Sequence, residues 1–202
     1  MENMIKHVAA NRLVNKDGTP LSWLVLFSAT GSEIANISDK LGIKPDKILT
    51  DNFNTDKHDK RIKASTYWRV KGITYEQKLN SYRNFFKDYD VITLHGWLNI
   101  IPKEICREFK IYNGHPGLIN YYPDLKGKDP QVRAYDRIGN YLYVGSVIHE
   151  VTEYIDCGRI ICYDKVHNVH CVSLDETYKA LKQTSLNTWI DFFTNQRYNI
   201  VC

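Results

Sequence analysis

The chain has 202 residues, 43% hydrophobic and 25% charged, the proportions of one ordinary globular domain rather than of a disordered or fibrous chain. Its 27 Lys and Arg against 23 Asp and Glu leave a formal net charge of +4, too mild an excess for a dedicated nucleic-acid binder. No apolar run is long enough to span a bilayer, and the first 22 residues lack the apolar stretch of a signal peptide. The five cysteines (Cys106, Cys157, Cys162, Cys171, Cys202) are odd in number and form no C-x-x-C pair, so they read as reduced thiols of a cytoplasmic protein.

Residues 1–22 are polar, with a turn over 16–20, and are expected to form an extension packed on a single domain of residues 23–202. The unbroken apolar run Trp23–Phe27 suits a central parallel strand. The loop Ser28-Ala29-Thr30-Gly31-Ser32 leads into a helix with Ile34, Ile37 and Leu41 at helical spacing, Ser32 as N-cap and Gly42 as stop. A second strand is expected at Lys47–Thr50, whereas residues 51–72 are charged and irregular. Residues 75–89 read as a helix, 90–95 as a strand, 102–109 as a short helix, and 110–112 as a parallel strand ending at Asn113-Gly114-His115-Pro116. Asp129-Pro130 opens a helix, with Asp as cap and Pro in the first turn.

Residues 143–151 and 159–166 are β-rich, and the short connection between them implies antiparallel neighbours. Ser173-x-x-Glu176 is a capping box that opens an amphipathic helix through Leu181, Leu186, Trp189, Ile190 and Phe193. The fold class is therefore α/β: a Rossmann-like, mostly parallel sheet flanked by helices, with an antiparallel hairpin in its C-terminal part.

In such sheets ligands gather beyond the carboxyl ends of the strands. Asn113 and His115 are two residues apart, so in extended chain they project to one side, and Pro116 restricts His115 to an extended backbone. An amide beside an imidazole suits an oxyanion, although the same pair serves equally as a turn Asn and a surface His. Asp156, seven residues after His149, supplies a carboxylate that can orient His115, raise its pKa or relay a proton through water; by itself Asp156-Cys157-Gly158 is an ordinary turn.

Three segments in order, Asn113-Gly114-His115-Pro116-Gly117-Leu118-Ile119, then residues 145–151 (GSVIHEV), then residues 155–161 (IDCGRII), resemble the folate-dependent formyltransferase family, which reads N-x-H-P-S-L-L, G-x-T-V-H-x-V and D-x-G-x-I. More weakly, Phe27-Ser28-Ala29-Thr30-Gly31-Ser32 is similar to the S-G-x-G-S-N loop of the family's glycinamide ribonucleotide branch, and residues 91–98 to its apolar strand followed by A-G-F-M. The resemblance implies transfer of the formyl group of 10-formyltetrahydrofolate, as co-substrate and without a metal, to a primary amine of a phosphorylated or nucleotide-linked small molecule. It assigns catalysis to Asn113, His115 and Asp156, with His149 in a structural or supporting place. It puts the pterin between Trp97, Leu98, Asn99, Ile100 and Ile101 on one side and Val151, Thr152 and Ile155 on the other. The acceptor falls to Ser28, Thr30, Gly31 and Ser32. Apart from the resemblance, in a tract unlike the family's, Lys126 and Lys128 sit just before a helix start, where they can hold a phosphate or serve as plain solvated charge.

Some residues depart from the glycinamide ribonucleotide pattern. Ala29 replaces a glycine, Glu33 replaces an asparagine, and Leu181 and Thr184 align with a glutamine and a glutamate. Glu33 suits the helix dipole but opposes a phosphate. The departures favour an amino-sugar nucleotide or related aminonucleotide as acceptor over glycinamide ribonucleotide. Three rivals stay open: the related 10-formyltetrahydrofolate hydrolase, a non-catalytic nucleotide-binding module, and a metal enzyme, the last without a closely spaced ligand pair. No nucleic-acid or membrane partner is expected, and a monomer and a homodimer are equally compatible.

Overall fold

The computed structural model describes residues 11–196 and 199–201. A seven-stranded sheet forms its centre. The strands in chain order are β2 (Trp23–Phe27), β3 (Lys47–Thr50), β4 (Thr66–Tyr67), β5 (Val91–His95), β6 (Ile111–His115), β7 (Tyr143–Glu150) and β8 (Ile160–His167), and they lie side by side in the order β4-β3-β2-β5-β6-β7-β8. The first five are parallel; β7 runs antiparallel to β6, and β8 antiparallel to β7. A short strand β1 (Arg12–Val14) pairs with β9 (Asn199–Val201) beside it, and the turn over residues 15–20 returns Pro20 to Val14.

Every residue of β2 and β5 is buried, so each face of these strands needs its own cover. On one face Trp23, Val25 and Phe27 join a core with Ile34 and Ile37 of helix α1 (Ser32–Leu41) and Trp189 of helix α5 (Leu174–Asp191). On the other, Leu24 and Leu26 meet Leu79, Tyr82 and Phe86 of α2 (Tyr75–Phe86) and Ile105 of α3 (Lys103–Glu108). A smaller cluster under β7 holds Leu118, Leu125, Val147 and Ala134 of α4 (Pro130–Asp136).

Local differences from the sequence reading have physical causes. Gly31, at φ 71°, turns the chain into α1, so Ser32 is the first helical residue and its hydroxyl bonds Thr30 instead of capping. Asp129 stands before α4 at φ 52°, a backbone that takes its side chain off the helix amides; no side-chain cap forms there. Helix α2 stops at Phe86, and its N-terminus is a capping box of Thr74 and Gln77 that the sequence reading passed over. Ser173 accepts the Glu176 amide as expected, but the Glu176 carboxylate takes the Ser173 hydroxyl rather than its amide. Residues 51–72 contribute a 3-10 turn at Thr55–Lys57 and the edge strand β4.

Strand β6 extends three residues past its expected end, because its pairing with β5 and β7 continues through residues 113–115. Gly114 lies between the two polar residues of interest, where an added Cβ would stand 2.7 Å from Trp189 Nε1. Gly114→Ala is therefore expected to lose about 1–3 kcal/mol through overpacking, read as a lower urea midpoint; an unchanged midpoint would contradict this packing.

Candidate active site

Asn113 and His115 point to the face of β6 that also carries Ile111, and β7 lies alongside with His149 opposite Asn113. The connection from β7 to β8 curls back over this face. It brings Asp156, at φ 50°, against both imidazoles: Oδ2 lies 3.4 Å from His115 Nδ1, and Oδ1 lies 3.3 Å from His149 Nε2. The Gly127 amide donates to Oδ2 at 2.8 Å, which ties this loop to the segment before α4. Asn113 Nδ2 sits 3.2 Å from His149 Nε2.

Two main-chain carbonyls distribute the protons. His115 Nε2 is 2.9 Å from the Leu125 oxygen, which can only accept, so Nε2 carries hydrogen and Nδ1 faces Asp156. His149 Nδ1 likewise donates to the Glu150 oxygen at 2.9 Å; in the neutral ring Nε2 then accepts from the Asn113 amide, and in the protonated ring it donates to Asp156 instead. Burial pulls the His115 pKa below its ordinary value and outweighs the opposing pull of Asp156 and the Leu125 carbonyl. The expectation that Asp156 leaves His115 with a raised pKa is thereby corrected: 4% exposure costs the imidazolium more than one carboxylate at 3.4 Å returns. Burial also pushes Asp156 upward, but His149, His115 and the Gly127 amide together hold it below the usual carboxylate value. The ensemble offers an amide donor, a neutral ring with a basic nitrogen, and an ionised carboxylate beside it.

The residues expected to line the pterin slot divide into two groups. Trp97 and Ile101 are buried in the core under α2 and α3, where Trp97 Nε1 donates to Tyr82 Oη; packing claims them, because the chain must dive back to start α3. Leu98 and Ile100 between them are exposed, at 80% and 60%, and Asn99 donates to Asp51. Across the site, Val151 packs on the same core and its amide bonds the Ile111 carbonyl. Thr152 braces the turn through Tyr154, and Tyr154 and Ile155 are exposed. Arg107 of α3 reaches Glu153 at 2.7 Å and links the two sides.

The loop after β2 is occupied by its own contacts. Ser28 Oγ accepts the Leu98 amide, and Thr30 accepts the Ser32 amide and bonds its hydroxyl. Gly31 lies under Ile62, whose Cδ1 would be 2.3 Å from an added Cβ. Glu33 turns inward: Oε2 is 2.7 Å from buried His95 Nδ1, and Oε1 accepts from Ser185 of α5. Burial pushes its carboxyl up, yet His95 and Ser185 hold it below the ordinary value, so it stays charged. Leu181 and Thr184 are buried against β7 instead, with Thr184 Oγ1 at 3.2 Å from Ser146 Oγ; the face of α5 turned to this loop carries Ser185 and Trp189. Lys126 Nζ rests 3.3 Å from the exposed Cys157 sulfur, and Lys128 is exposed.

The formyl transferase family model matches residues 51–191. The chain belongs to the formyl transferase family. A phosphoribosylglycinamide formyltransferase of Dictyostelium discoideum is 31% identical over 167 residues, which covers 74% of this chain and 78% of the relative. Among solved structures, the phosphoribosylglycinamide formyltransferase of Campylobacter jejuni matches with a TM-score of 0.71 at 21% identity, covering 86% of this chain and 98% of that one. The enzyme of the same description from Coxiella burnetii also gives 0.71, at 17% identity and 86% and 85% coverage. The structure brings together Asn113, His115 and Asp156, the three residues expected from the sequence, and adds His149, whose place the sequence left open. The sequence reading missed the Leu125 carbonyl, the Gly127 amide, His95 and Ser185. Of these only Ser185 had a signal, its place one turn before Trp189 on α5.

The pKa directions set the acid response. A His with a lowered folded pKa binds fewer protons than the unfolded chain just below the ordinary histidine value of about 6.5, so its contribution is complete above that value and is lost as pH falls through the folded one. Asp156, also lowered, contributes above the usual carboxylate range and loses that contribution on further acidification. The urea midpoint is expected to fall on acidification below about pH 6.5, and His115→Gln to flatten the upper part of that fall. A variant profile parallel to wild type throughout would refute the assignment.

Proposed function

We propose that the protein transfers the formyl group of 10-formyltetrahydrofolate to the primary amine of a small phosphorylated acceptor, with Asn113, His115 and Asp156 at the reacting atoms. The observation that carries this reading is the convergence of those three side chains, from β6 and a loop some forty residues later, on one face of the sheet. The donor fits the surroundings: the loops that flank the three side chains expose Leu98 and Ile100 on one and Tyr154 and Ile155 on the other, apolar surface suited to a flat pteridine. When bound, it supplies an amide-like formyl carbon open to attack by an amine.

The chain's own residues do the rest. Asn113 donates its amide hydrogen to the formyl oxygen as negative charge gathers there. His115, with hydrogen fixed on Nε2, takes the amine's proton at Nδ1, and Asp156 stabilises the resulting imidazolium at 3.4 Å. As the tetrahedral intermediate collapses, the bond from the formyl carbon to the folate nitrogen breaks and that nitrogen takes the proton, delivered from His115 through water beside the Asp156 carboxylate, so tetrahydrofolate and the formylated amine leave.

The descriptions of the relatives support phosphoribosylglycinamide as the acceptor. One observation favours a second reading, an amino-sugar nucleotide or other aminonucleotide: the first turn of α1, where free amides would otherwise welcome a phosphate, holds the ionised Glu33. In that reading Lys126 and Lys128 take the phosphate.

Release of tetrahydrofolate, followed with each amine in turn, tests the proposal. Asn113→Ala and His115→Ala are each expected to lower kcat by about 100- to 1,000-fold; turnover surviving His115→Ala at the wild-type rate would defeat it. Release without any amine would make the protein a hydrolase. Glu33→Asn is expected to lower KM for phosphoribosylglycinamide and to leave other acceptors unaffected if the second reading holds, and to change neither if Glu33 serves only the packing of α1 on α5.

A further inference from the structure

Arg133 of α4 touches none of the three side chains, yet it governs the segment on which two of them depend. Its guanidinium donates to three successive carbonyls: Nη1 to Asp124 at 3.0 Å, and Nη2 to Leu125 at 3.2 Å and Lys126 at 2.8 Å. These carbonyls end the 3-10 turn Pro123–Leu125, so they lack partners within the turn itself. The planar fork reaches all three at once, which a lysine ammonium cannot do with the same fixed geometry. The Leu125 oxygen held in this way is the one that accepts the His115 Nε2 hydrogen. The next residue but one, Gly127, aims its amide at Asp156.

We propose that Arg133 is a positioning residue for formyl transfer: by clamping the carbonyls of residues 124–126 it fixes the His115 tautomer with hydrogen on Nε2, presents Nδ1 as the base, and holds the Gly127 amide in register with Asp156. The proposal rests on the formyl-transfer reading for its kinetic consequence only; the tautomer is a property of the free protein. The charged and titratable groups that face His115 are Asp156 from the β7–β8 loop, His149 from β7 and Arg133 itself from α4. The field of the Arg133 guanidinium opposes protonation of the ring. Its removal relaxes the Leu125 carbonyl and lifts that opposition together.

The test uses the full chain with 15N-labelled histidine, as wild type, Arg133→Met and Arg133→Lys. Long-range 1H–15N spectra of wild type are expected to find the His115 ring hydrogen on Nε2 at neutral pH; a hydrogen on Nδ1 would overturn the proposal at once. In Arg133→Met, His115 is expected to gain the Nδ1-H tautomer and to titrate at a shifted pH, with Arg133→Lys between the two. In turnover, kcat is expected to fall about 10- to 100-fold in Arg133→Met, with KM for folate and amine changed less and the acidic limb of the kcat profile displaced with the His115 titration. A folded variant with wild-type tautomer, titration and pH profile would sink the proposal, whatever its stability. If Arg133→Met does not fold, Arg133→Lys carries the same comparison. Wild type that turns over no amine would refute the formyl-transfer reading while the spectra still decide this one.

Discussion

Asp156 sets a negative charge against two largely buried imidazoles, and the polar architecture around it follows from the cost of that charge. A carboxylate withdrawn from water without partners is held at a loss of several kcal/mol. Here it is met by the Gly127 amide and by His115 and His149, which hold its pKa below the ordinary value although burial alone would raise it. Those partners need partners in turn. The rings are kept in orientation by the Leu125 and Glu150 carbonyls, and the Leu125 carbonyl by Arg133. The chain of dependence runs from a loop charge, through two strands, to a short helix outside the sheet. It also accounts for the left-handed backbone at Asp156: a residue type that tolerates this conformation is used where the loop must fold back over the strand it has just left.

A second polar relay lies on the opposite face of the sheet and has another character. Trp23 donates to Thr93, Thr93 bonds His95, and His95 bonds Glu33, which also takes the Ser185 hydroxyl. It joins β2, β5, α1 and α5 through groups that are mostly buried, so it fixes how α1 and α5 meet over the sheet. Because Glu33 is both its end and the first-turn residue of α1, packing and the charge at the helix end are coupled there. The carboxylate that helps to seat α5 also suits the dipole at the start of α1. The two relays meet at Gly114, whose missing side chain lets Trp189 approach β6 from behind, directly beneath Asn113 and His115.

Much of the fold was legible along the chain because it rests on local periodicity. The continuous apolar run at 23–27, the β-rich stretch at 91–95, the 3.6-residue spacing in α1 and α5, and the short connection between β7 and β8 each specify their element without reference to the rest. The errors fall where a neighbour overrides local preference. Ser32 is a good cap by residue type, but Gly31 makes the turn; β6 outruns its apolar residues because β5 and β7 pair with it on both sides; Trp97 and Ile101 have the look of a ligand wall, but α2 and α3 bury them.

The candidate site divides in the same way. Asn113 and His115, two apart on extended chain, share a face by the geometry of a strand, and that placement is what the sequence by itself determined; their residue types allowed an oxyanion-binding pair and an ordinary turn alike. Asp156 was reachable only through likeness of motif, since no local rule brings a loop residue back to a strand some forty positions earlier. What only the tertiary structure decided is the set of atoms that tune these three: the Leu125 and Glu150 carbonyls, the Gly127 amide, His149 as their shared neighbour, and Arg133 behind them. Main-chain atoms have no residue-type signature, and a proton's place on an imidazole depends on which acceptor stands 2.9 Å away, a distance that exists only once the chain has closed on itself.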